Sequence, residues 1–336
     1  MAWISIYKMK ANIDSSILRA LRRAGDGAIP AADLAQQLGV GRPAIAGRIQ
    51  ALRALGYEID TTPHFGYHLV ESPDLLHADD LMSRIDEKSV IGREIHVFEE
   101  TTSTNDVIEK FARDGMKEGV VVFAESQTRG RGRLGRKWIS PRRKGLWFSI
   151  LLRPQLRLDE STRLTVASAT ALRRAIDKIT GLKPRIKWPN DIILSGRKVA
   201  GILTEMRAEV DRVDYVILGI GVDVNLNATD FPPDLKKIAT SLKAESGKAV
   251  SRPALASQII RELNADYKRI TNGEFSQVSD EWEEHCDTIG QNVSIRIGQR
   301  LLRGRAESLG EEGALLLRTD YGHLERVVGG DVFLEK

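Results

Sequence analysis

The chain has 336 residues, of which 42% are hydrophobic and 29% charged, and its formal net charge of +4 favours anionic partners. This length predicts more than one domain, and no apolar run approaches the roughly 18 residues of a membrane-spanning helix. The single cysteine, Cys286, excludes an internal disulfide, the histidines have no metal-ligand spacing, and "MAWISIYKMK" lacks the features of a secretion signal, so we expect a cytoplasmic protein without a structural metal or membrane contact.

The first predicted domain, residues 12–72, has the pattern of a winged helix-turn-helix DNA-binding domain. A first amphipathic helix precedes the segment "AADLAQQLGVGRPAIAGRIQALRALG", in which Ala35 suits close helix packing, Gly39 suits the turn and Ile45 faces the core. The alternating runs of "YEIDTTPHFGYHLV", with a turn at Pro63, then fit a β-hairpin wing.

The expected recognition helix offers DNA four side chains: Arg42, Arg48, Gln50 and Arg53. Any three-helix bundle with a short turn would give the same pattern, so both interpretations stay open. Because phosphate contacts supply most of the affinity for DNA, one copy with so few cations is expected to bind weakly, and a dimer that reads two half-sites would bind more tightly.

The segment "ESPDLLHADD" (71–80) is predicted to be a linker to a central domain at 80–286. Apolar periodicity predicts helices at 161–179 and 252–270 and strands at 95–98, 119–125, 146–152, 185–188, 198–206 and 213–221. Several neighbouring strands are joined by links too short for a crossover helix, so we expect a mixed, mostly antiparallel sheet with helices and the α+β class. Short strands and turns at 288–336 fit a small SH3-like barrel.

The loop "ESQTRGRGRLGRKW" (125–138) places Gly130, Gly132 and Gly135 in the G-x-G-x-x-G spacing of dinucleotide-binding folds. Such a site needs a helix directly after the glycines, whereas Pro141 and Gly145 break any helix here. Glycine lets the backbone approach a ligand and arginine forks match phosphate or carboxylate oxygens, so the loop suits an anionic ligand. Uncovered, its charges should repel it into disorder; an RNA-binding tract of the arginine-glycine type is the alternative.

Three further segments carry candidate ligand contacts. "TTSTND" (101–106) stands at a predicted helix start, where Ser103 or Thr104 either caps the helix or faces a ligand. "KWPNDI" turns at Pro189, and "GRKVAGIL" places Lys198 at a strand start, where an exposed edge lysine is also compatible. The sequence contains no P-loop, Ser-His-Asp set or nucleophilic cysteine motif, so these groups indicate binding of an anion.

With these segments in this order, the chain resembles the bifunctional biotin protein ligases that also repress the biotin operon. The matching pieces are "TSTN" (102–105), "ESQTRGRGRLGRKWISP" (125–141), "KWPNDI" (187–192), "KVAGIL" (198–203) and "LGIGVDVN" (218–225). The resemblance implies a class II synthetase-like central domain that uses ATP, with Mg²⁺, to convert biotin to biotinyl-5'-AMP. The enzyme then transfers biotin to a lysine of the biotin carboxyl carrier protein of acetyl-CoA carboxylase.

The resemblance also implies a role for each motif residue. The residues implied for catalysis are Arg131, Arg133, Lys187, Asp191 and Lys198, with Asp191 the candidate for Mg²⁺. The residues implied for biotin are Ser103, Thr104, Asn105, Gln127, Arg131, Gly132, Arg133 and Lys198. The residues implied for ATP or the adenylate are Arg133, Arg136, Trp138, Asn190, Gly201, Gly219, Gly221 and Asp223, although Trp138 also fits an ordinary core position.

One position departs from the family pattern, and two alternatives remain. Asp223 stands where the family commonly has asparagine, which replaces a group able to donate with an acceptor when it is ionised. Lipoate protein ligase would share the adenylate chemistry, and a ligand-sensing transcription regulator would lack ligase activity. The winged helix implies repression of biotin genes through operator DNA, with biotinyl-5'-AMP as corepressor and ligand-linked homodimerisation.

Overall fold

The structure, a computed structural model, describes residues 2–62, 65–209 and 212–334. The chain forms two compact units, residues 1–89 and 90–336. None of the helices in the described ranges has the length and apolarity needed to span a membrane.

The first unit is a helix-turn-helix followed by a β-hairpin, as predicted. Its elements are α1 (Ala2–Ala24), α2 (Ala31–Leu38), α3 (Arg42–Ala54), β1 (Glu58–Thr62), β2 (Gly66–Glu71) and α4 (Ala78–Ser83). Gly39 ends α2 with φ 64°, a left-handed conformation that glycine adopts without a steric penalty. Ile17, Leu34 and Ile45 from the three long helices are buried together, so each helix contributes one apolar face to a shared core. The predicted wing turn at Pro63 lies outside the described residues.

The predicted linker at 71–80 is wrong in its second half, because this stretch belongs to the packed part of the first unit. Asp79 and Asp80 begin α4 and are buried, with Asp80 only 1% exposed. Arg22 of α1 and Arg84 both donate hydrogen bonds to the Asp80 carboxylate. Adjacent acidic residues resemble a solvated linker in the sequence, whereas arginines from distant positions hold them in the interior.

The second unit is built on a seven-stranded sheet with the order β3-β4-β5-β9-β8-β7-β6. Its strands are β3 (Glu94–Phe98), β4 (Val120–Ala124), β5 (Leu146–Leu152), β6 (Arg185–Lys187), β7 (Asp191–Leu194), β8 (Arg197–Glu209) and β9 (Arg212–Val222). Only β3 and β4 pair in parallel, and the other neighbours are antiparallel. The predicted α+β class with a mixed, mostly antiparallel sheet is therefore confirmed.

The helices of this unit are α5 (Thr104–Arg113), α6 (Thr162–Thr180), α7 (Leu242–Ser246), α8 (Arg252–Thr271) and α9 (Phe275–Glu284). Ile108 of α5 packs against Leu151 of β5 and Ile217 of β9. Because side chains alternate along a strand, the face that carries Ile217 also carries Gly219 and Gly221. On the sheet face beside the N-terminus of α5, these two glycines therefore leave space that larger side chains would fill.

The chain ends in a smaller antiparallel sheet with the order β13-β12-β11-β10-β14. Its strands are β10 (Asn292–Ile297), β11 (Arg300–Leu309), β12 (Leu315–Thr319), β13 (Leu324–Val327) and β14 (Asp331–Leu334). The pairing of β11 with β12 shifts in register between Ala306 and Ser308. The side chains of Val293, Ile295 and Leu317, which belong to β10 and β12 of this sheet, are buried. A five-stranded antiparallel sheet is thus present where a small barrel was predicted.

Candidate active site

One cavity of about 500 Å³ collects every side chain predicted for catalysis, biotin or ATP. These lining residues are Ser103, Thr104, Asn105, Gln127, Arg131, Gly132, Arg133, Arg136, Trp138, Lys187, Asn190, Asp191, Lys198, Gly201, Gly219, Gly221 and Asp223. The segments that carry them are far apart in the chain, so the fold assembles them. Apolar side chains that the sequence did not single out, such as Phe231 and Ile238, complete the wall.

The glycines on the sheet face allow two side chains to lie directly on the backbone. A Cβ at Gly219 would lie 2.4 Å from Asn105 Oδ1, and a Cβ at Gly221 would lie 2.6 Å from Trp138 Cε2. A Cβ at Gly201 would also meet the Trp138 ring, at 2.9 Å. Larger residues at these positions would therefore displace Asn105 or Trp138 from the floor of the cavity.

The start of α5 faces the cavity with three buried polar residues, Ser103, Thr104 and Asn105. Ser103 occupies the N-cap position, yet its side chain makes no capping hydrogen bond. Helix capping, one of the two interpretations of this motif, therefore does not account for the buried Ser103 hydroxyl. Its presence in the cavity lining favours the interpretation as a ligand contact.

A chain of hydrogen bonds runs under the cavity from α5 to the glycine-arginine loop. Thr104 Oγ1 lies 2.7 Å from Ser149 Oγ, which donates to Asn105 Oδ1, and Asn105 Nδ2 donates to Glu205 Oε2 at 2.7 Å. Thr104 N donates to Gln127 Oε1 at 2.9 Å, and Gln127 Nε2 donates to Ser140 Oγ at 2.9 Å. The polar groups of the floor thus form one connected network.

The loop itself forms a short hairpin, named here the lid, residues 130–138. Gly132 N donates to Arg136 O at 2.7 Å, and Trp138 N donates to Gly130 O at 2.9 Å. Between them, Leu134 and Gly135 have positive φ values of 55° and 72°. Backbone hydrogen bonds across the glycines therefore define the lid conformation.

The prediction that the loop charges repel it into disorder is wrong for this structure, because two of its arginines are paired with carboxylates. Arg131 Nε and Nη2 donate to the two oxygens of Glu205 at 3.1 and 3.0 Å, and Arg131 Nη1 donates to Asp106. Arg136 pairs with Asp331 of β14. Carboxylates outside the loop thus neutralise charges that, considered by themselves, would repel one another.

Arg133 is held between the central sheet and the C-terminal sheet. Its Nη1 donates to Asn190 Oδ1 at 3.2 Å and to Gly330 O at 3.5 Å. Burial lowers the pKa of Arg133, and the carboxylates of Asp191 and Asp331 raise it in part. A half-buried guanidinium whose hydrogen bonds go to two neutral oxygens keeps its positive charge available for an anion in the cavity.

The hairpin between β6 and β7 brings Lys187 opposite Asp191 in the strand register. Lys198 Nζ lies 2.5 Å from Asp191 Oδ1 and 5.2 Å from the centre of the Trp138 ring. Lys198 and Asp191 form an ion pair whose geometry is not that of a hydrogen bond. The buried Oδ1 of Asp191 therefore has no hydrogen-bond partner. Lys187, Asp191 and Lys198 therefore form a charged cluster beside Trp138.

Asp223 lies on the same wall and is almost completely buried. Burial raises the pKa of the Asp223 carboxyl well above its ordinary value, and the nearby Lys198 offsets this only in part. A carboxyl that keeps its proton can donate a hydrogen bond, as an asparagine amide does. The departure from the family pattern at this position is thus smaller than an ionised aspartate would make it.

In the first unit, the four predicted DNA contacts divide into two pairs. Arg42 and Gln50 are exposed on α3. Arg48 makes an ion pair with the buried Asp14 of α1, and Arg53 donates to Ile59 O at 2.8 Å and Thr61 Oγ1 at 2.9 Å. Arg48 and Arg53 thus make contacts within their own unit, and their role as DNA contacts stays a prediction.

Sequence reasoning missed the carboxylates that hold the lid, namely Asp106, Glu205 and Asp331, and the buried hydroxyl of Ser149. A signal for Glu205 was present, because the period of a strand places residues 201, 203 and 205 on one face and Gly201 was already assigned to the site. No comparable signal marks Asp331. Within the described ranges, His, Cys, Asp and Glu side chains form no cluster able to hold a metal ion by themselves.

Three family matches cover most of the chain. Residues 97–223 match the Biotin/lipoate A/B protein ligase family, residues 15–68 match an HTH domain, and residues 288–335 match the Biotin protein ligase C terminal domain. A solved structure of biotin protein ligase from Aquifex aeolicus in complex with biotin and ATP is 28% identical, with a TM-score of 0.63, and the match covers 73% of this chain and 99% of that chain.

Similar proteins of the full length are also known. The Bifunctional ligase/repressor BirA of Bacillus subtilis (strain 168) is 33% identical over 326 residues, which are 97% of this chain and 100% of that protein. The protein of the same name from Escherichia coli (strain K12) is 30% identical over 302 residues, 90% of this chain and 91% of that protein. The chain therefore belongs to the family of biotin protein ligases, in the form that carries an N-terminal helix-turn-helix domain.

Proposed function

We propose that the protein is an ATP-dependent biotin protein ligase that forms biotinyl-5'-AMP and transfers biotin to a lysine of a biotin carboxyl carrier protein. The observation that carries this proposal is the composition of the cavity described above. Its lining combines the hydroxyl and amide groups of Thr104, Asn105 and Gln127 with the cations Arg133, Lys187 and Lys198. Such a cavity suits a ligand that carries both a polar ring and phosphate charge.

In the first step, an oxygen of the biotin carboxylate attacks the α-phosphorus of ATP and pyrophosphate leaves. Arg133, Lys187 and Lys198 stabilise the negative charge that grows on the phosphate oxygens, at about 3 kcal/mol for each well-placed donor. In the second step, the amine of the acceptor lysine attacks the carbonyl carbon of the mixed anhydride and AMP leaves. Asp191, which forms an ion pair with Lys198, accepts the proton of the incoming amine.

The proposed reaction includes Mg²⁺, which would bind together with ATP. The Asp191 Oδ1 atom is buried and without a hydrogen-bond partner, and one carboxylate together with substrate phosphates is a common set of ligands for this ion. When bound, Mg²⁺ would neutralise charge on the triphosphate. Asp191 would hold it, and Lys198 would then be released toward the ligand.

The lid contributes by excluding water from the mixed anhydride. Arg131 and Arg136 anchor its two sides, and Trp138 covers the glycine floor. Trp138 therefore shields one wall of the cavity from solvent. This position supports a role for Trp138 in covering the ligand.

The helix-turn-helix supports a second role as repressor of biotin genes. We propose that biotinyl-5'-AMP strengthens binding to operator DNA through ligand-linked homodimerisation, with Arg42 and Gln50 on the exposed face of α3. Both this role and the ligase reaction place the protein in the cytoplasm. The five-stranded antiparallel sheet near the C-terminus supports an SH3-like barrel, and the mostly antiparallel central sheet supports a class II synthetase-like domain.

The test is an exchange assay with ATP and labelled pyrophosphate. We expect exchange that depends on biotin and not on lipoate, and a loss of about 100-fold in Lys198→Ala. Lys183→Ala, which changes an exposed lysine elsewhere in the same unit, is the matched control and should retain the rate. Exchange driven by lipoate alone would overturn the proposal in favour of a lipoate ligase.

The transfer step and the repressor role need separate measurements. Labelled biotin should appear on the acceptor lysine of a carrier domain, and biotin binding without any transfer would favour a ligand-sensing regulator without ligase activity. A gel-shift titration on the promoters of the organism's own biotin genes should show tighter binding with biotinyl-5'-AMP. Equal binding with and without this ligand would remove the corepressor from the proposal.

A further inference from the structure

Glu205 is the acceptor in the network under the cavity whose hydrogen-bonding role is fixed by its chemistry. An ionised carboxylate only accepts hydrogen bonds. Both of its oxygens accept from Arg131, and Oε2 also accepts from the Asn105 amide. The Asn105 group that faces Glu205 must therefore be its NH₂, at 2.7 Å.

The acceptor role of Glu205 determines the direction of the hydrogen bonds that run from Asn105 through Ser149 to Thr104. Because Asn105 presents its NH₂ to Glu205, its Oδ1 faces Ser149 and accepts, so the Ser149 hydroxyl must donate. The Ser149 oxygen is then left to accept from Thr104 Oγ1, 2.7 Å away. Ser149 is fully buried, at 0% exposure, so solvent cannot supply it with another partner.

The consequence for the cavity is an acceptor at Thr104. A threonine hydroxyl has one hydrogen, and here it is committed to Ser149 rather than to Gln127 Oε1, which is 3.3 Å away. The Thr104 oxygen therefore offers only lone pairs to a ligand. Gln127 directs its Nε2 to Ser140 and retains a second N–H.

We propose that Glu205 is a positioning residue that sets the hydrogen-bond polarity of the cavity floor, so that Thr104 accepts a ring N–H of biotin. The inference rests on the proposed function, since it assumes that biotin occupies this end of the cavity. Glu205 acts on Thr104 through Asn105 and Ser149. It also accepts hydrogen bonds from Arg131, which connects the cavity floor to the base of the lid.

The test measures dissociation constants by isothermal titration calorimetry with the full chain. The ligands are biotin and two cyclic carbamate analogues, in each of which a ring oxygen replaces one of the two ureido N–H groups. For the unchanged protein, we expect one analogue to bind at least about 10-fold more weakly than biotin, because its ring oxygen would face the lone pairs of Thr104. In Glu205→Gln, the amide can donate to Asn105, which lets Asn105, Ser149 and Thr104 reverse their directions. The preference for biotin over that analogue should then fall to within about 3-fold.

Two further variants separate polarity from anchoring of the lid. Asp106→Asn removes the other carboxylate partner of Arg131 without touching Asn105, so it should keep the preference. Glu205→Asp restores an acceptor-only group and should keep it as well. If Glu205→Gln does not fold, Ser149→Ala gives an equivalent test, because it releases the Thr104 hydrogen and should also abolish the preference.

The outcomes are distinguishable. The inference is overturned if Glu205→Gln or Ser149→Ala retains the full preference, or if Asp106→Asn loses as much of it as Glu205→Gln does. A failure of the unchanged protein to bind biotin would instead overturn the proposed function.

Discussion

Asp223 is the residue at which this chain departs from the family pattern, and its burial gives the departure a measurable consequence. A folded-state pKa above that of the unfolded chain means that the folded protein holds this proton more tightly. The contribution of Asp223 to stability is therefore complete at a pH below the unfolded value of about 3.9 and is lost progressively as the pH rises toward the folded-state pKa. The neighbouring Lys198 reduces this loss and does not remove it.

We expect Asp223→Asn to raise the free energy of unfolding of the second unit, because the amide has nearly the same shape and cannot ionise. The gain should be smallest at or below about pH 4 and should grow by up to about 1.4 kcal/mol per pH unit above that, until the folded-state pKa is reached. Urea unfolding followed by tryptophan fluorescence measures it, since every tryptophan except Trp3 lies in the second unit. Asp114→Asn, at an exposed carboxylate, shows the effect of a charge change alone. A difference that stays constant from pH 5 to pH 8 would contradict the argument.

At the scale of single residues, the sequence identified groups that belong to a motif and missed their partners. Arg131 and Arg133 could be assigned to the site because glycine spacing and charge density mark the loop. Glu205 and Asp106, which neutralise Arg131, lie in ordinary strand and helix patterns where a carboxylate usually faces solvent. Arg48 gives the converse case, because its place on the recognition helix suggests a DNA contact and gives no sign of the ion pair that it makes with the buried Asp14.

At the scale of elements, the lid distinguishes a glycine that packs against protein from a glycine with open space around it. A Cβ at Gly130 would lie 2.6 Å from Trp138 O and 3.1 Å from Gln127 Nε2. The nearest atom to a Cβ at Gly132 is Arg136 O, at 3.7 Å. The two glycines are therefore equivalent in the motif and different in the folded lid.

Gly130→Ala is expected to displace the end of the lid and Gln127, and to raise the KM for biotin in the exchange assay about 10-fold or more, because backbone atoms that cannot move independently block the methyl group. Gly132→Ala is the matched control and should change the KM by less than about 3-fold. A Gly132→Ala variant as defective as Gly130→Ala would show that Gly132 is needed for close approach of a ligand rather than for packing of the lid.

The second prediction for an element concerns α3. Arg42→Ala should reduce the slope of log affinity against log salt by about 0.9, as expected for loss of one phosphate contact. Arg48→Ala should leave that slope unchanged and destabilise the first unit by about 1–3 kcal/mol, because Asp14 is then buried without its ion partner. Fluorescence anisotropy with a labelled duplex at several salt concentrations gives the slope, and circular dichroism gives the stability. A reduced slope for Arg48→Ala with unchanged stability would instead show that this arginine contacts DNA.

Elements with a clear period were predictable, and short ones were not. The predicted helices at 161–179 and 252–270 agree closely with α6 and α8, and the predicted strand at 146–152 agrees with β5. Helix α4, with six residues, has too few turns to show a period, and tertiary ion pairs to Asp80 stabilise it instead. The acidic sequence of α4 therefore resembled a linker.

At the scale of the whole molecule, the C-terminal sheet forms part of the cavity wall, which the sequence did not predict. Gly330, Asp331 and Phe333 line the cavity together with residues of the central sheet. A Cβ at Gly329 would lie 2.7 Å from Arg133 Nη2, so the turn before β14 fits closely over this arginine. The predicted barrel had no assigned role in the site, because a contact between domains leaves no periodic signal in either sequence segment.

Asp331 provides the test of that arrangement. Its carboxylate pairs with Arg136 at the far side of the lid, and this pair is partly exposed, so its contribution should be at most about 1 kcal/mol. We expect Asp331→Asn to raise the KM for ATP in the exchange assay by about 2- to 5-fold at low salt, because the lid is held less firmly over the phosphates. The difference from the unchanged protein should diminish at high salt, where the pair is already screened. Asp320→Asn, at an exposed position in the turn between β12 and β13, should leave the KM unchanged. Equal KM values for the Asp331→Asn variant and the unchanged protein at low salt would mean that the backbone carbonyl contact to Arg133 alone connects the C-terminal sheet to the lid.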